Sequence, residues 1–138
     1  MQRKTKMKIN GRAKGGGGER EFCKWLQENL ELSFLPTRNL EQTRDGGADI
    51  CDMPPFMFEV KRCEGLSLRD WWLQVSLATT SYHEKRIRVV AFRRNKQKWA
   101  FLISATWIGL EKGFVQLEEF EGKTWLKSKL LTSLKQNC

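Results

Sequence analysis

Gly46-Gly47-Ala48-Asp49-Ile50, followed by Phe56-Met57-Phe58-Glu59-Val60-Lys61-Arg62, is the stretch that decides the fold. Side chains alternate across a strand, so Phe56, Phe58 and Val60 share one face, while Met57, Glu59 and Lys61 share the other. Asp45-Gly46-Gly47 is a turn signal, and Met53-Pro54-Pro55 breaks the chain between the two runs. These signals predict a short strand over 48–52 running antiparallel to a strand over 56–62. On the first strand Asp49 and Cys51 face away from Ala48 and Ile50. The polar face then carries Asp49 beside Glu59 and Lys61, opposite an apolar face that can pack on a core.

The 138 residues fit one domain with room for a real core. Lys+Arg total 25 against 16 Asp+Glu, a formal net charge of +9, which favours a polyanionic partner: nucleic acid or an anionic membrane surface. The sequence has no run of about 18 apolar residues, and its basic N-terminus lacks the apolar stretch of a signal peptide. A membrane partner is therefore not expected. The basic amphipathic segment over 124–135 is too short to argue otherwise. Cys23, Cys51, Cys63 and Cys138 show no C-x-x-C spacing, and His83 is the single histidine. That spacing argues against a structural zinc site and against histidine-based nuclease chemistry, and it suggests reduced intracellular thiols. Any metal should be a hard cation held by oxygens.

Residues 1–14 contain six Lys or Arg and no acid, and four glycines follow. We expect residues 1–18 to form a flexible basic arm and glycine joint ahead of one domain over 19–138. Within the arm Lys14 is placed to gain phosphate contacts on DNA. No P-loop pattern is present. Phe22, Cys23, Trp25, Leu26 and Leu30 recur at helical spacing, with Glu19 at the start of that face. Residues 38–44 read as a strand or an extended loop. Ser67 with Asp70 marks the start of a second helix, whose stripe is Leu68, Trp71, Trp72, Val75 and Ala78, with Gln74 among them. Residues 86–92 and 99–104 read as strands joined by a basic turn carrying Arg93, Arg94, Lys96 and Lys98. A short helix over 106–112 and an amphipathic one over 124–135 complete the chain. The order predicts an α/β layer fold, a small mixed β-sheet flanked by helices.

Hydrolysis of a phosphodiester requires a nucleophilic water and neutralisation of charge on the attacking and leaving oxygens, which carboxylate-held Mg²⁺ can supply. Asp49 and Glu59 are the best ligand pair, because adjacent strands bring their side chains together. Lys61 lies on Glu59's face, placed to hold a water or neutralise the phosphate. Glu19 completes the acidic cluster, and Gln74 is placed to orient water or phosphate. Three other acids compete with these choices, Asp45 and Asp52 with Asp49 and Glu21 with Glu19. Asp52 falls on the strand face opposite Asp49, and Glu21 loses the helical alignment with Leu26. Asp45 is accounted for by its turn.

Lys14-Gly15-x-x-x-Glu19-Arg20, Gly47-Ala48-Asp49-Ile50, Phe58-Glu59-Val60-Lys61, the Gln74 helix and the hairpin from Val89 to Trp99 together resemble the PD-(D/E)xK nuclease superfamily. Within it they resemble the archaeal-type Holliday junction resolvases and their phage-encoded relatives. The resemblance spans residues 14–104, and Ala48 stands where the superfamily motif has proline. It implies a restriction-endonuclease-like core in which Glu19, Asp49 and Glu59 bind Mg²⁺ (Mn²⁺ substituting), with Val60 at the metal site. It further implies that Lys61 assists the nucleophile, that Gln74 is accessory, and that Arg20 contacts phosphate. Arg62 joins Lys14, Arg20 and the hairpin cations as a DNA-binding residue. The implied function is structure-selective cleavage of four-way DNA junctions by a homodimer, with no small-molecule cofactor. The alternatives are another endonuclease of the same core acting on duplex or branched DNA, and a catalytically inert nucleic-acid-binding protein.

Overall fold

A computed structural model describes residues 17–39, 49–50, 52–62, 64–78 and 86–136. Helix α1 covers 17–29. It is followed by strand β1 (Phe56–Arg62), helix α2 (Leu68–Ala78), and strands β2 (Ile87–Arg93) and β3 (Ala100–Ser104). A 3-10 turn (Ala105–Ile108), strand β4 (Phe114–Leu117) and helix α3 (Glu119–Gln136) end the chain. The four strands form one sheet in the order β1-β2-β3-β4. β1 and β2 are parallel, and the other two pairings are antiparallel, so the sheet is mixed. Among the described residues the architecture is α/β, a small mixed four-stranded sheet with three helices.

Period-2 alternation sorts the sheet's side chains onto two faces, and both faces are covered. Phe56, Phe58, Val60, Val89, Ala91, Phe101 and Ile103 pack with Phe22, Trp25 and Leu26 of α1 and Leu126 of α3. Met57, Val90, Phe92, Ala100 and Leu102 pack with Trp71 and Val75 of α2. The sheet therefore sits between α1 with α3 on one side and α2 on the other. Trp71 is core, ring against ring with Phe92 at 5.5 Å, and Trp72 packs near Phe114. A bond from Trp25 Nε1 to Glu119 Oε2, at 3.1 Å, ties α1 to α3.

Several expectations shift. The antiparallel partner of β1 is reduced, among the described residues, to a single bridge between Ile50 and Phe58. Glycines 17 and 18, expected in the joint, belong to the first turn of α1. A Cβ on Gly18 would lie 2.6 Å from the Arg62 Cβ, so the glycine lets the helix start pass close to the end of β1. The helix expected over 106–112 is one 3-10 turn, capped by Ser104 and stopped by Gly109 at φ 91°. Gly113 has φ 95° as well, so a helix cannot run through this loop, and β4 begins directly after it. The last helix starts at Glu119, five residues earlier than expected.

Gly122 lies inside α3 and is buried against the sheet. A Cβ there would sit 2.2 Å from Phe101 Cδ2, and Phe101 is itself enclosed. Gly122→Ala would normally favour a helix by about 1 kcal/mol. Here overpacking should reverse the sign and destabilise the protein by about 1–3 kcal/mol. A lowered denaturant midpoint at unchanged slope would show this, whereas a raised midpoint would mean that Phe101 moves freely.

Candidate active site

Backbone groups on three sides hold Asp49. Its N–H donates to the Phe58 carbonyl at 2.9 Å, and its carbonyl accepts from the Asn39 N–H at 2.7 Å. Its Oδ2 accepts from the Val60 N–H at 2.7 Å. These contacts place the carboxylate beside the centre of β1, where Glu59 projects toward the α2 side of the sheet opposite Val90 in the register. Both acids are buried, Asp49 at 6% and Glu59 at 4% exposure, and their carboxyls share a hydrogen bond.

Two carboxylates this close cannot both ionise at low cost. Burial pushes the Glu59 carboxyl up from its ordinary 4.5 to about 9, with the charge and hydrogen bond of Asp49 adding to the effect. Burial also raises Asp49, partly offset by the Val60 N–H and by the bond from Glu59. Together these effects favour a shared proton on the pair, and the hydrogen bond between the two carboxyls favours its residence on Glu59. A cation would remove the same conflict. Lys61 opposes both shifts electrostatically, and Glu19 adds to both. Lys61 Nζ donates to Gln74 Oε1 at 2.9 Å, which ties β1 to α2.

The structure thus brings Glu19, Asp49, Glu59, Lys61 and Gln74 into one neighbourhood, with Val60 supplying a backbone N–H to Asp49. Among the described residues, no three His, Cys, Asp or Glu side chains converge tightly enough to enclose an ion. Glu19 Oε1 instead accepts from Arg38 Nε at 2.8 Å. The chemistry of the donor set, carboxylate oxygens buried together, nevertheless suits a hard divalent cation, whose charge would offset their repulsion.

The competing acids are committed elsewhere. Asp52 accepts from the Thr37 N–H and hydroxyl, the latter at 2.9 Å. Glu21 bridges Arg62 at 3.2 Å and Arg93 at 2.6 Å, and Asp45 lies outside the described residues. This bridge changes the picture of the basic surface. Arg62 is mostly enclosed, and Arg93 is held by Glu21 and by the Gln97 carbonyl. Arg20, Arg94, Lys96 and Lys98 are exposed, and Lys14 lies outside the described residues. Lys96 adopts φ 62° at the hairpin tip, and Glu64 accepts from the Asn95 N–H.

Arg38, Asn39 and the double role of Glu21 were not foreseen. Their contacts join residues 10 to 72 positions apart, and no spacing rule announces such pairs. A groove of about 710 Å³ between Leu30, Phe34, Met53, Leu130 and Leu134 includes neither Asp49 nor Glu59. No protein-family model, curated protein or solved structure matches this chain.

Proposed function

We propose that this protein is a Mg²⁺-dependent endodeoxyribonuclease with a PD-(D/E)xK-type, restriction-endonuclease-like core, acting on branched DNA and above all on four-way junctions. One observation carries the reading: two buried, hydrogen-bonded carboxyls, Asp49 and Glu59, lie within electrostatic reach of Lys61 and Glu19 on a strongly basic protein. A structural role alone rarely justifies burying such a pair, because burying charge is unfavourable unless something compensates it.

Glu19, Asp49 and Glu59 would hold the cation. When bound, Mg²⁺ supplies activation of water and neutralisation of charge on the phosphate. Val60 fixes Asp49 through its N–H, so the ligand does not swing. Lys61, positioned by Gln74, presents an ammonium to the attacking water or the phosphate oxygen. Arg20, Arg94, Lys96 and Lys98 would grip the DNA backbone, which favours recognition by shape and charge over base sequence. Two such sites in a twofold homodimer would match the two symmetry-related strands of a junction.

Metal binding is testable without substrate. Mg²⁺ added to metal-stripped protein should raise its melting temperature, because a ligand at 100 times its Kd stabilises the fold by about 2.7 kcal/mol. Asp49→Asn should abolish that rise. An equal rise in the variant would move the cation elsewhere.

The hairpin's part is separable. Neutralising Arg94, Lys96 and Lys98 together should weaken junction binding and reduce the salt slope by about 1 for each phosphate that is no longer neutralised. An unchanged slope would return these residues to the role of a solvated turn.

A further inference from the structure

Arg38 closes one side of the acidic cluster. Its Nε donates to Glu19 Oε1 at 2.8 Å, with Glu19 largely enclosed at 14% side-chain exposure and Arg38 at 30%. The backbone on either side of it is fastened. Thr37 donates from both its N–H and its hydroxyl to Asp52, and the Asn39 N–H donates to the carbonyl of Asp49. The segment carrying the arginine is therefore pinned to the residue that pairs with Glu59. The guanidinium itself reaches partly into solvent.

A surface ion pair needs no such bracket, and an isolated one adds at most about 1 kcal/mol. Here the acceptor is a carboxylate that already acts on Asp49 and Glu59. A divalent cation among the three acids would compete for the same charge on Glu19. Arg38 and the cation are then alternative counter-ions for one group. A guanidinium displaced from a carboxylate keeps its planar fork, which matches phosphate oxygens.

We propose that Arg38 is an exchangeable counter-ion: it holds Glu19 while no divalent cation is bound, yields Glu19 to the cation, and then turns its guanidinium to a phosphate of the DNA strand. The inference rests on the nuclease reading above and adds an order of events to it. Cation binding completes the acidic ligand set and arms a phosphate contact in the same step, so the DNA grip near the site depends on the metal. The 30% exposure of the Arg38 side chain lets the swing occur by side-chain rotation alone, with the 37–39 backbone left in place.

The test uses the full chain without turnover. Mn²⁺ binding is followed by the loss of the free-ion paramagnetic resonance signal, and affinity for a labelled four-way junction is measured once in EDTA and once in Ca²⁺. Arg38→Gln should bind Mn²⁺ about 2- to 5-fold more tightly, the expected gain from removing a competing ion pair. The same variant should bind the junction as wild type does in EDTA and more weakly than wild type in Ca²⁺. In a Glu19→Gln background the Arg38 substitution should leave Mn²⁺ affinity unchanged, because the contested carboxylate is gone. Arg38→Lys should keep the competition without the forked grip on phosphate.

Weaker or unchanged Mn²⁺ binding in Arg38→Gln, with wild type binding the ion, would overturn the exchange and make Arg38 a fixed partner that orients Glu19. Equal junction affinity of wild type and variant in Ca²⁺ would overturn the second half of the step. A wild-type protein that binds no Mn²⁺ would overturn the nuclease reading along with this inference, so the two failures are distinguishable.

Discussion

Glu59→Gln is expected to abolish Mg²⁺-dependent cleavage, a loss of about 10³-fold or more, because a cation's stabilisation of transition-state charge amounts to several kcal/mol. Junction affinity should hardly change, since the side chain is buried and faces Asp49 rather than the surface. Glutamine keeps the volume and can still donate to Asp49, so loss of activity cannot be assigned to a cavity. The same variant carries a second, independent signature. The folded protein holds the Glu59 carboxyl above its ordinary range. The stability contributed by that proton is complete below pH 4.5 and is lost as pH rises toward 9. In metal-free buffer the variant and wild type should therefore melt together near pH 5. By pH 9 the variant should melt higher, because it has no proton to lose. Melting curves that stay parallel across this range would remove the carboxyl pair as the cause.

Phe22→Ala should cause the largest loss of stability, about 3–5 kcal/mol. Phe22 is fully buried and lies at the centre of an aromatic cluster, with ring centroids 4.9 Å from Trp99, 5.1 Å from Phe58, 5.6 Å from Trp25 and 6.1 Å from Phe101. It joins α1 to β1 and to the chain entering β3, and α1 carries Glu19 near its start. Its removal leaves a void among large rings that cannot close without moving α1. Denaturant unfolding at unchanged slope, read from tryptophan fluorescence, would measure the loss. A loss below about 1 kcal/mol would mean that the cluster collapses around the gap, contrary to the close packing described.

The part of this architecture that was legible in the sequence is the part governed by local periodicity. Alternation in Phe56–Arg62 placed Glu59 and Lys61 on one face, and helical spacing from Phe22 to Leu30 gave α1 its buried side. The break at the two prolines marked Asp49 off as a neighbour of that strand, while the turn expected at Asp45-Gly46-Gly47 lies outside the described residues. What the sequence hid has physical reasons. β4 is four residues long and follows directly on a loop punctuated by Gly109 and Gly113, too short for its alternation to stand out. The start of α3 was obscured by Gly122, which reads as a breaker but is required by Phe101. The Arg38–Glu19 pair and the Glu21 bridge to Arg62 and Arg93 depend on the three-dimensional meeting of distant segments. Charge counting offered the hairpin cations as phosphate contacts, and it did not show that Arg93 also pairs with Glu21. The resemblance to junction resolvases supplied the substrate, and no local pattern in the chain does so.

The central claim is metal-dependent cleavage of branched DNA, and one incubation tests it most directly. Purified protein is mixed with a labelled synthetic four-way junction or a linear duplex of matched sequence, each in Mg²⁺ and in EDTA. The account predicts paired, symmetric nicks in the junction with Mg²⁺, none with EDTA, and little cutting of the duplex. Binding of the junction with no cleavage in Mg²⁺ or Mn²⁺ would contradict it, leaving the buried carboxyl pair in a protein that holds DNA without cutting it.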